Sequence, residues 1–418
     1  MSDIRRLVFC FPYRGVGGVS LLFLRVAERL AAEYDQETYL VDYPDGFMAK
    51  HRDTELTRFI AYRDGSRVSV PEESLVIFQA MTPWSIFPAL RIPSETRILY
   101  WNCYPFNLIP SFPGLTGLMF RSPVWGRLIL TTLLISFRNK MLRLINLMLE
   151  KESLVFHDST NVAVTEQYLM MKIADPVFLP VTAGDPPKEV LRPSRDLRAQ
   201  GLRVAWIGRV CDFKYFILKH AITKLEEVAE TLSIPLTVTI VGSGDYTAKL
   251  HRHADSLERN TIRFIEHISP GNLDEYLCQE VDLLLAMGAS ALEGARLGVP
   301  TILVDIFYRD VPDNYVFRWL CDRTGFTLGA FQPKHQSVDG NHSLSDRVRE
   351  LLNDSDLMAA RTSEYFQQHH SLDSVCNRLL RIADRAICSY GELCAQRLTE
   401  RGVLYPIYRS IKKTFSES

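Results

Sequence analysis

The stretch VDLLLAMGASALEGARLGVPTILVD, Val281 to Asp305, sets two apolar strand-like runs on either side of a short, glycine-bounded helix whose one carboxylate is Glu293. In an open parallel sheet, the loop leaving a strand's carboxyl end and the helix after it form the crevice where ligands sit. Met287, Gly288, Ala289 and Ser290 form that loop, and its small residues let a ligand approach the backbone and the exposed N–H groups of the helix, which suit phosphate. Ser290 and Glu293 also have the spacing of a capping box, in which the glutamate folds back onto the helix's own first amides.

The run resembles the nucleotide-sugar half of GT-B glycosyltransferases, specifically the large retaining family, glycosyl transferases of group 1 type, whose helix glutamate holds the donor ribose hydroxyls. The resemblance implies an α/β fold of two Rossmann-like domains facing across a cleft, with Glu293 on the ribose. One position departs from the pattern. That family carries a second glutamate eight positions earlier, beside the donor sugar or its phosphate, and here Leu285 stands there, followed by Ala286 and Met287.

At 418 residues the chain exceeds the size at which a single hydrophobic core stops growing, roughly 250–300 residues, so two domains are expected. With 47% hydrophobic residues it can fill two cores, which argues against a largely disordered protein. A formal net charge of -1 gives no global field that favours nucleic acid. The eight cysteines are scattered without a Cys-x-x-Cys pair and read as reduced thiols. The start, MSDIRRLVFC, moves from charge directly into a short strand and offers no signal-peptide core, so the expected location is the cytoplasm. No run reaches the ~18–20 apolar residues that span a bilayer.

From the amino end, the strand Leu7 to Phe11 leads through PYRGVGGVS into an amphipathic helix with Val19, Phe23, Val26, Ala27 and Leu30 on one face, the opening of a Rossmann-like unit. Spacing at Gly15, Gly17 and Gly18 does not match the dinucleotide fingerprint; the resemblance puts Gly17 and Gly18 near the donor phosphate. Further strands are expected at Glu37 to Val41, Leu75 to Gln79, Arg97 to Trp101 and Leu154 to His157. Two of them end in polar side chains, at Asn102 and at His157-Asp158, which makes these three residues the catalytic candidates; the resemblance implies a histidine near the reacting carbon, the place of His157, with Asp158 orienting it or acting as a base. Asp158 equally suits a helix cap.

Between those strand ends lies a segment, 105–151, rich in Leu, Ile and aromatics. From Arg121 to Lys151 it holds six bases against one acid, Glu150. An apolar face with basic edges suits an interfacial helix, where acyl burial and attraction to anionic headgroups act together. A buried helical hairpin with a solvated basic rim has the same composition.

A proline-rich, charged stretch at 183–200 reads as the linker. After it the strand Leu202 to Ile207 ends in Gly208 and Arg209, with Lys214 five residues on, and both cations can meet a diphosphate leaving group. The resembled family has this glycine-arginine strand end with its lysine, a Gly-x-Gly turn matched by Gly242 and Gly244, and a base-reading loop matched by His267 and Ile268. The domains expected are thus 1–182 on the acceptor side with the membrane-facing insertion 105–151, the linker 183–200, a nucleotide-sugar domain over 201–385 and a helical tail over 386–418. In that tail Arg409, Lys412 and Lys413 beside Tyr405, Ile407 and Tyr408 would also suit a membrane face.

The function expected is transfer of a sugar from a nucleotide diphosphate-sugar donor to a saccharide or lipid-linked saccharide acceptor, in bacterial surface polysaccharide synthesis, at the inner face of the cytoplasmic membrane. The reaction is expected to need no metal and no cofactor, the cations and helix termini supplying positive charge instead. Two alternatives stand: a nucleotide-sugar 2-epimerase of the same fold, and a non-catalytic subunit that only binds a sugar nucleotide.

Overall fold

The computed structural model describes residues 6–15, 17–112, 114–187, 193–331 and 342–401. They fall into two compact units, Met1–Val181 with Leu372–Ser418, and Thr182–Ser371.

The first unit begins β1 (Arg6–Cys10), α1 (Gly18–Glu33), β2 (Glu37–Asp42), α2 (Phe47–His51), β3 (Arg58–Ala61), β4 (Val68–Ser69), β5 (Ser74–Gln79), β6 (Leu90–Arg91) and β7 (Arg97–Asn102). It goes on through α3 (Thr116–Arg121), α4 (Pro123–Thr131), α5 (Ile135–Glu150), β8 (Leu154–Phe156) and α6 (Ser159–Leu169). Six strands pair in parallel in the order β3-β2-β1-β5-β7-β8, and β4 pairs with β6 apart from them. Continuous apolar runs such as Leu7, Val8 and Phe9, all fully buried, are what a strand covered on both faces requires. The apolar face of α1 closes one side, with Phe23 stacked on Trp101 at 5.8 Å.

The second unit runs through α7 (Leu197–Gln200), β9 (Leu202–Ile207), α8 (Asp212–Leu232), β10 (Leu236–Val241), α9 (Thr247–Ala254), β11 (Thr261–Ile265) and α10 (Pro270–Glu280). β12 (Leu283–Ala286), α11 (Ala289–Ala295), β13 (Thr301–Leu303), β14 (Arg318–Trp319), α12 (Leu344–Asn353) and α13 (Ser355–His369) complete it. The sheet order is β11-β10-β9-β12-β13-β14, parallel except for the last pair. The stretch before β9 is fastened to the sheet, because the buried Asp282 carboxylate accepts from Arg195 and also from Arg203, whose backbone N–H is 2.9 Å away.

Two helices then return to the first unit, α14 (Leu372–Arg385) and α15 (Tyr390–Ala395). On α14, Val375, Cys376, Leu379, Ile382 and Ala383 join the core under α1. The boundary expected at residue 385 therefore lies at Ser371–Leu372. An amphipathic helix shows in the sequence which face it buries but not which sheet receives that face.

Both sheets are of the doubly wound kind, so the α/β class of two Rossmann-like units is the one observed. All eight cysteines are free. Among the described residues no helix is long and apolar enough to cross a membrane. The tail residues Tyr405, Ile407, Tyr408, Arg409, Lys412 and Lys413 lie outside the described residues.

Candidate functional site

In the second unit the chain leaves β9 for β10 and β11 on one side, then returns to β12 and β13 on the other. Strand order therefore reverses between β9 and β12, and the loops after these two strands open a crevice at the carboxyl edge, the place where open sheets bind ligands. Residues from both loops converge there. A Cβ placed on Gly208 would lie 3.0 Å from Lys214 Nζ and 4.0 Å from Ser290 Oγ, so the ammonium and the hydroxyl border one small space. Lys214 sits in the first turn of α8, half-buried, its Nζ 5.8 Å from the Trp206 ring and 5.9 Å from the Phe213 ring. Burial pulls its pKa below the ordinary lysine value; the Cys211 thiol opposes the fall and the Arg209 charge adds to it. Arg209 is exposed in the same loop.

Gly242 and Gly244 let two loops of the second unit pack closely. Gly242 adopts φ +126°, and a Cβ there would fall 2.4 Å from the Gly208 carbonyl; one on Gly244 would fall 2.6 Å from that of Val210. Bare backbone lets the loop after β10 lie against the loop after β9, where the Gly208 N–H donates to Val241 O at 2.9 Å and the Val210 N–H to Ser243 O at 3.1 Å. These glycines shape the loop that carries Arg209. His267, exposed, and Ile268, half-buried, lie after β11, two strands from β9.

Gly288, at φ +65°, precedes α11, and the helix starts with Ala289 and Ser290 and no side-chain cap. The capping box is thus not formed. Glu293 instead accepts from Arg296 Nε at 2.7 Å, and the same guanidinium reaches Asp274 on α10 and donates to Asp185 O at 3.1 Å. Arg296 is only 9% exposed, so this clamp fixes the Glu293 carboxylate from the protein side. Sequence reading passed over Arg296 and Asp274. The three-residue spacing of Glu293 and Arg296 on one helix was the available signal, whereas Asp274 gave none. Leu285, in the place of the family's second glutamate, is buried in β12 as part of the core.

In the first unit, Asn102, His157 and Asp158 do come together, at the carboxyl ends of β7 and β8. Asp158 caps α6, its Oδ1 accepting from Asn161 N at 2.8 Å, while its Oδ2 lies 2.9 Å from His157 Nε2. Asn161 Nδ2 donates to Asn102 O at 2.7 Å and lies 3.0 Å from His157 Nδ1. Because an amide nitrogen only donates, Nδ1 accepts and Nε2 carries the proton toward Asp158. Both ring nitrogens are thus engaged within the protein, and Asp158 both caps α6 and holds the imidazole. The side chain of Asn102 is fully buried, and neither its Oδ1 nor its Nδ2 has a partner among the described residues. Gly17 precedes α1 and Gly18 is its first residue.

No family model matches the chain. No curated protein matches it. Among solved structures it is similar to the lipopolysaccharide outer core galactosyltransferase WaaB in its apo form, at 11% identity and a TM-score of 0.48, with 90% of this chain and 98% of that chain covered. It is similar also to WaaG, a glycosyltransferase involved in lipopolysaccharide biosynthesis, at 13% identity and a TM-score of 0.47, covering 90% and 99%. A third similarity is to a complex of S. aureus TarM with UDP and alpha-GlcNAc-glycerol, at 13% identity and a TM-score of 0.40 over 74% of this chain. The chain spans only 55% of the length of that protein.

Proposed function

We propose that the chain moves a sugar from a nucleotide diphosphate donor to a saccharide or lipid-linked saccharide acceptor, in making a bacterial surface polymer such as lipopolysaccharide or capsule. The observation that carries this reading is the meeting of Lys214 and Ser290 about Gly208, with Arg209 on the same loop and Glu293 on the same helix as Ser290. Cations after one strand and uncapped amides after its neighbour suit two phosphates. A clamped carboxylate further along that helix suits the paired hydroxyls of a ribose. When the glycosidic bond breaks, negative charge gathers on the departing diphosphate, and Lys214 and Arg209 are placed to stabilise it. The same cations stand in for a metal, so turnover is expected to survive a chelator such as EDTA unchanged; a loss restored by Mg²⁺ would refute metal independence. Peripheral contact at the cytoplasmic face of the membrane, through 105–151, belongs to the same proposal.

Two observations favour a second reading, donor binding without turnover: Leu285 is buried where a carboxylate would stand, and His157 is occupied on both sides. They also weigh against an epimerase, which needs carboxylates and a histidine free to serve the sugar. The deciding experiment offers the full chain a panel of nucleotide diphosphate-sugars with and without membrane extract and follows nucleotide diphosphate release. Acceptor-dependent release that falls about 10²-fold in Arg209→Ala supports transfer. Tight donor binding with no release against any extract would leave the binding-only reading standing.

A further inference from the structure

The first unit contains a cavity of about 600 Å³ outside the carboxyl ends of β5 and β7, within the range of about 300–1,000 Å³ usual for ligand pockets. Its walls are mostly apolar. Trp84 packs on Phe137 at 5.2 Å, and Phe106 stacks on Phe120 at 4.0 Å with the rings 11° apart. Several of the polar groups in the wall are already engaged within the protein. Thr82 and Ser85 hydroxyls pair at 2.7 Å, and Asn107 Oδ1 accepts from Gln79 Nε2 at 3.1 Å and from Tyr104 N at 2.9 Å. None of the buried polar atoms that lack a partner among the described residues belongs to this wall. So apolar a wall would leave most hydroxyls of a lodged saccharide without partners, at a cost of roughly 1–3 kcal/mol each, whereas a hydrocarbon chain would lose nothing.

The mouth shows where such a chain would come from. Leu133 and Tyr104 line the cavity and are 66% and 49% exposed. Beside them α4 turns Val124, Trp125 and Leu128 outward, at 65%, 51% and 49% exposure, while Gly126 and Leu130 on its other side are buried. Residues 105–149 contain no aspartate or glutamate. Of the bases there, Arg138 and Lys140 turn inward to the carbonyls of Leu169 and Glu400, but Arg121 and Arg143 are exposed. A cavity that opens through exposed apolar side chains onto an acid-free, base-bearing surface matches an anionic lipid layer, with the chains of its lipids facing the mouth.

We infer that one hydrocarbon chain of an anionic membrane lipid enters this cavity between Trp84 and Phe106 while α4 lies in the headgroup layer. This deepens the membrane contact proposed above and does not depend on sugar transfer. Tryptophan fluorescence separates the parts, because Trp84 lines the cavity, Trp125 lies on the outer face, and Trp101, Trp206 and Trp319 are fully buried. The full chain is mixed with phosphatidylcholine vesicles, with or without phosphatidylglycerol, whose acyl chains carry bromine as a quencher. Partition is expected to be about tenfold tighter on the anionic vesicles. Quenching should persist in Trp125→Phe, disappear in the Trp84→Phe/Trp125→Phe double variant, and be abolished by Leu133→Glu, a change at an exposed position that leaves the core intact. Partition with quenching confined to Trp125 would overturn the chain-binding inference while sparing the membrane contact. No partition onto either vesicle overturns both, and self-association lost in Leu133→Glu would then assign the face to a second copy of the chain. Neither of these results bears on nucleotide diphosphate release.

Discussion

At the scale of single residues, Lys214 holds a charge where the surroundings disfavour it. Its folded-state pKa lies below the ordinary value of 10.5 chiefly through burial, so between the two values the unfolded chain binds more protons than the folded one and stability rises with pH. The penalty is complete below the folded pKa and fades as pH climbs toward 10.5. Lys214→Met, which keeps the length and drops the charge, is accordingly expected to raise the melting temperature at pH 7, with the gain shrinking in alkaline buffer, while donor turnover falls about 10²-fold. Calorimetry across pH beside a release assay checks both halves. A variant that melts lower than wild type at pH 7 would mean that the ammonium stabilises the fold and is not held there for a ligand. His157 presents the opposite case. Its partners Asn161 and Asp158 explain its burial without any substrate.

At the scale of elements, the crevice depends on loops from three adjacent strands lying close together. Gly242→Ala would push a methyl group to 2.4 Å from the Gly208 carbonyl on a backbone at φ +126°, a conformation costing about 1–3 kcal/mol for a side-chain-bearing residue before any clash is counted. Turnover should therefore fall together with thermal stability, whereas Arg209→Ala should lower turnover alone; a fully stable Gly242→Ala protein would show that the two loops can separate freely. Much of this level was legible from sequence. β1, β2, β5, β7 and β8 lie within a residue of the apolar runs that announced them, because strands covered on both faces are written as uninterrupted hydrophobic stretches. β3, β4, β6 and β14 were not legible, since they are short and no continuous apolar run marks them. In the site, Arg209, Lys214 and Glu293 were reached through the family resemblance, since strand-end cations and a helix carboxylate suit a solvated surface or a helix cap equally well. The Arg296–Asp274 clamp was hidden, since it joins helices whose packing only the fold decides.

At the scale of the whole molecule, the chain leaves the first unit near Val181 and comes back at Leu372. On α14 the apolar side chains Leu372, Val375, Leu379 and Ile382 are buried in the first unit's core. At roughly 1.5–3 kcal/mol each, their burial is comparable with a domain's entire margin of about 5–15 kcal/mol. A chain ended after Ser371 is thus expected to lose the first unit's cooperative melting transition and to keep that of the second. Retention of both would show that α14 only decorates the sheet. The return also sets an order for synthesis. At about 5–20 residues per second, the ribosome needs roughly a quarter of a minute to a minute after making α1 before α14 emerges to cover it. Through that interval the whole second unit is being made, up to Ser371, while α1 waits for the apolar side chains of α14 that share its core, so the part of the protein begun first is the part that closes last.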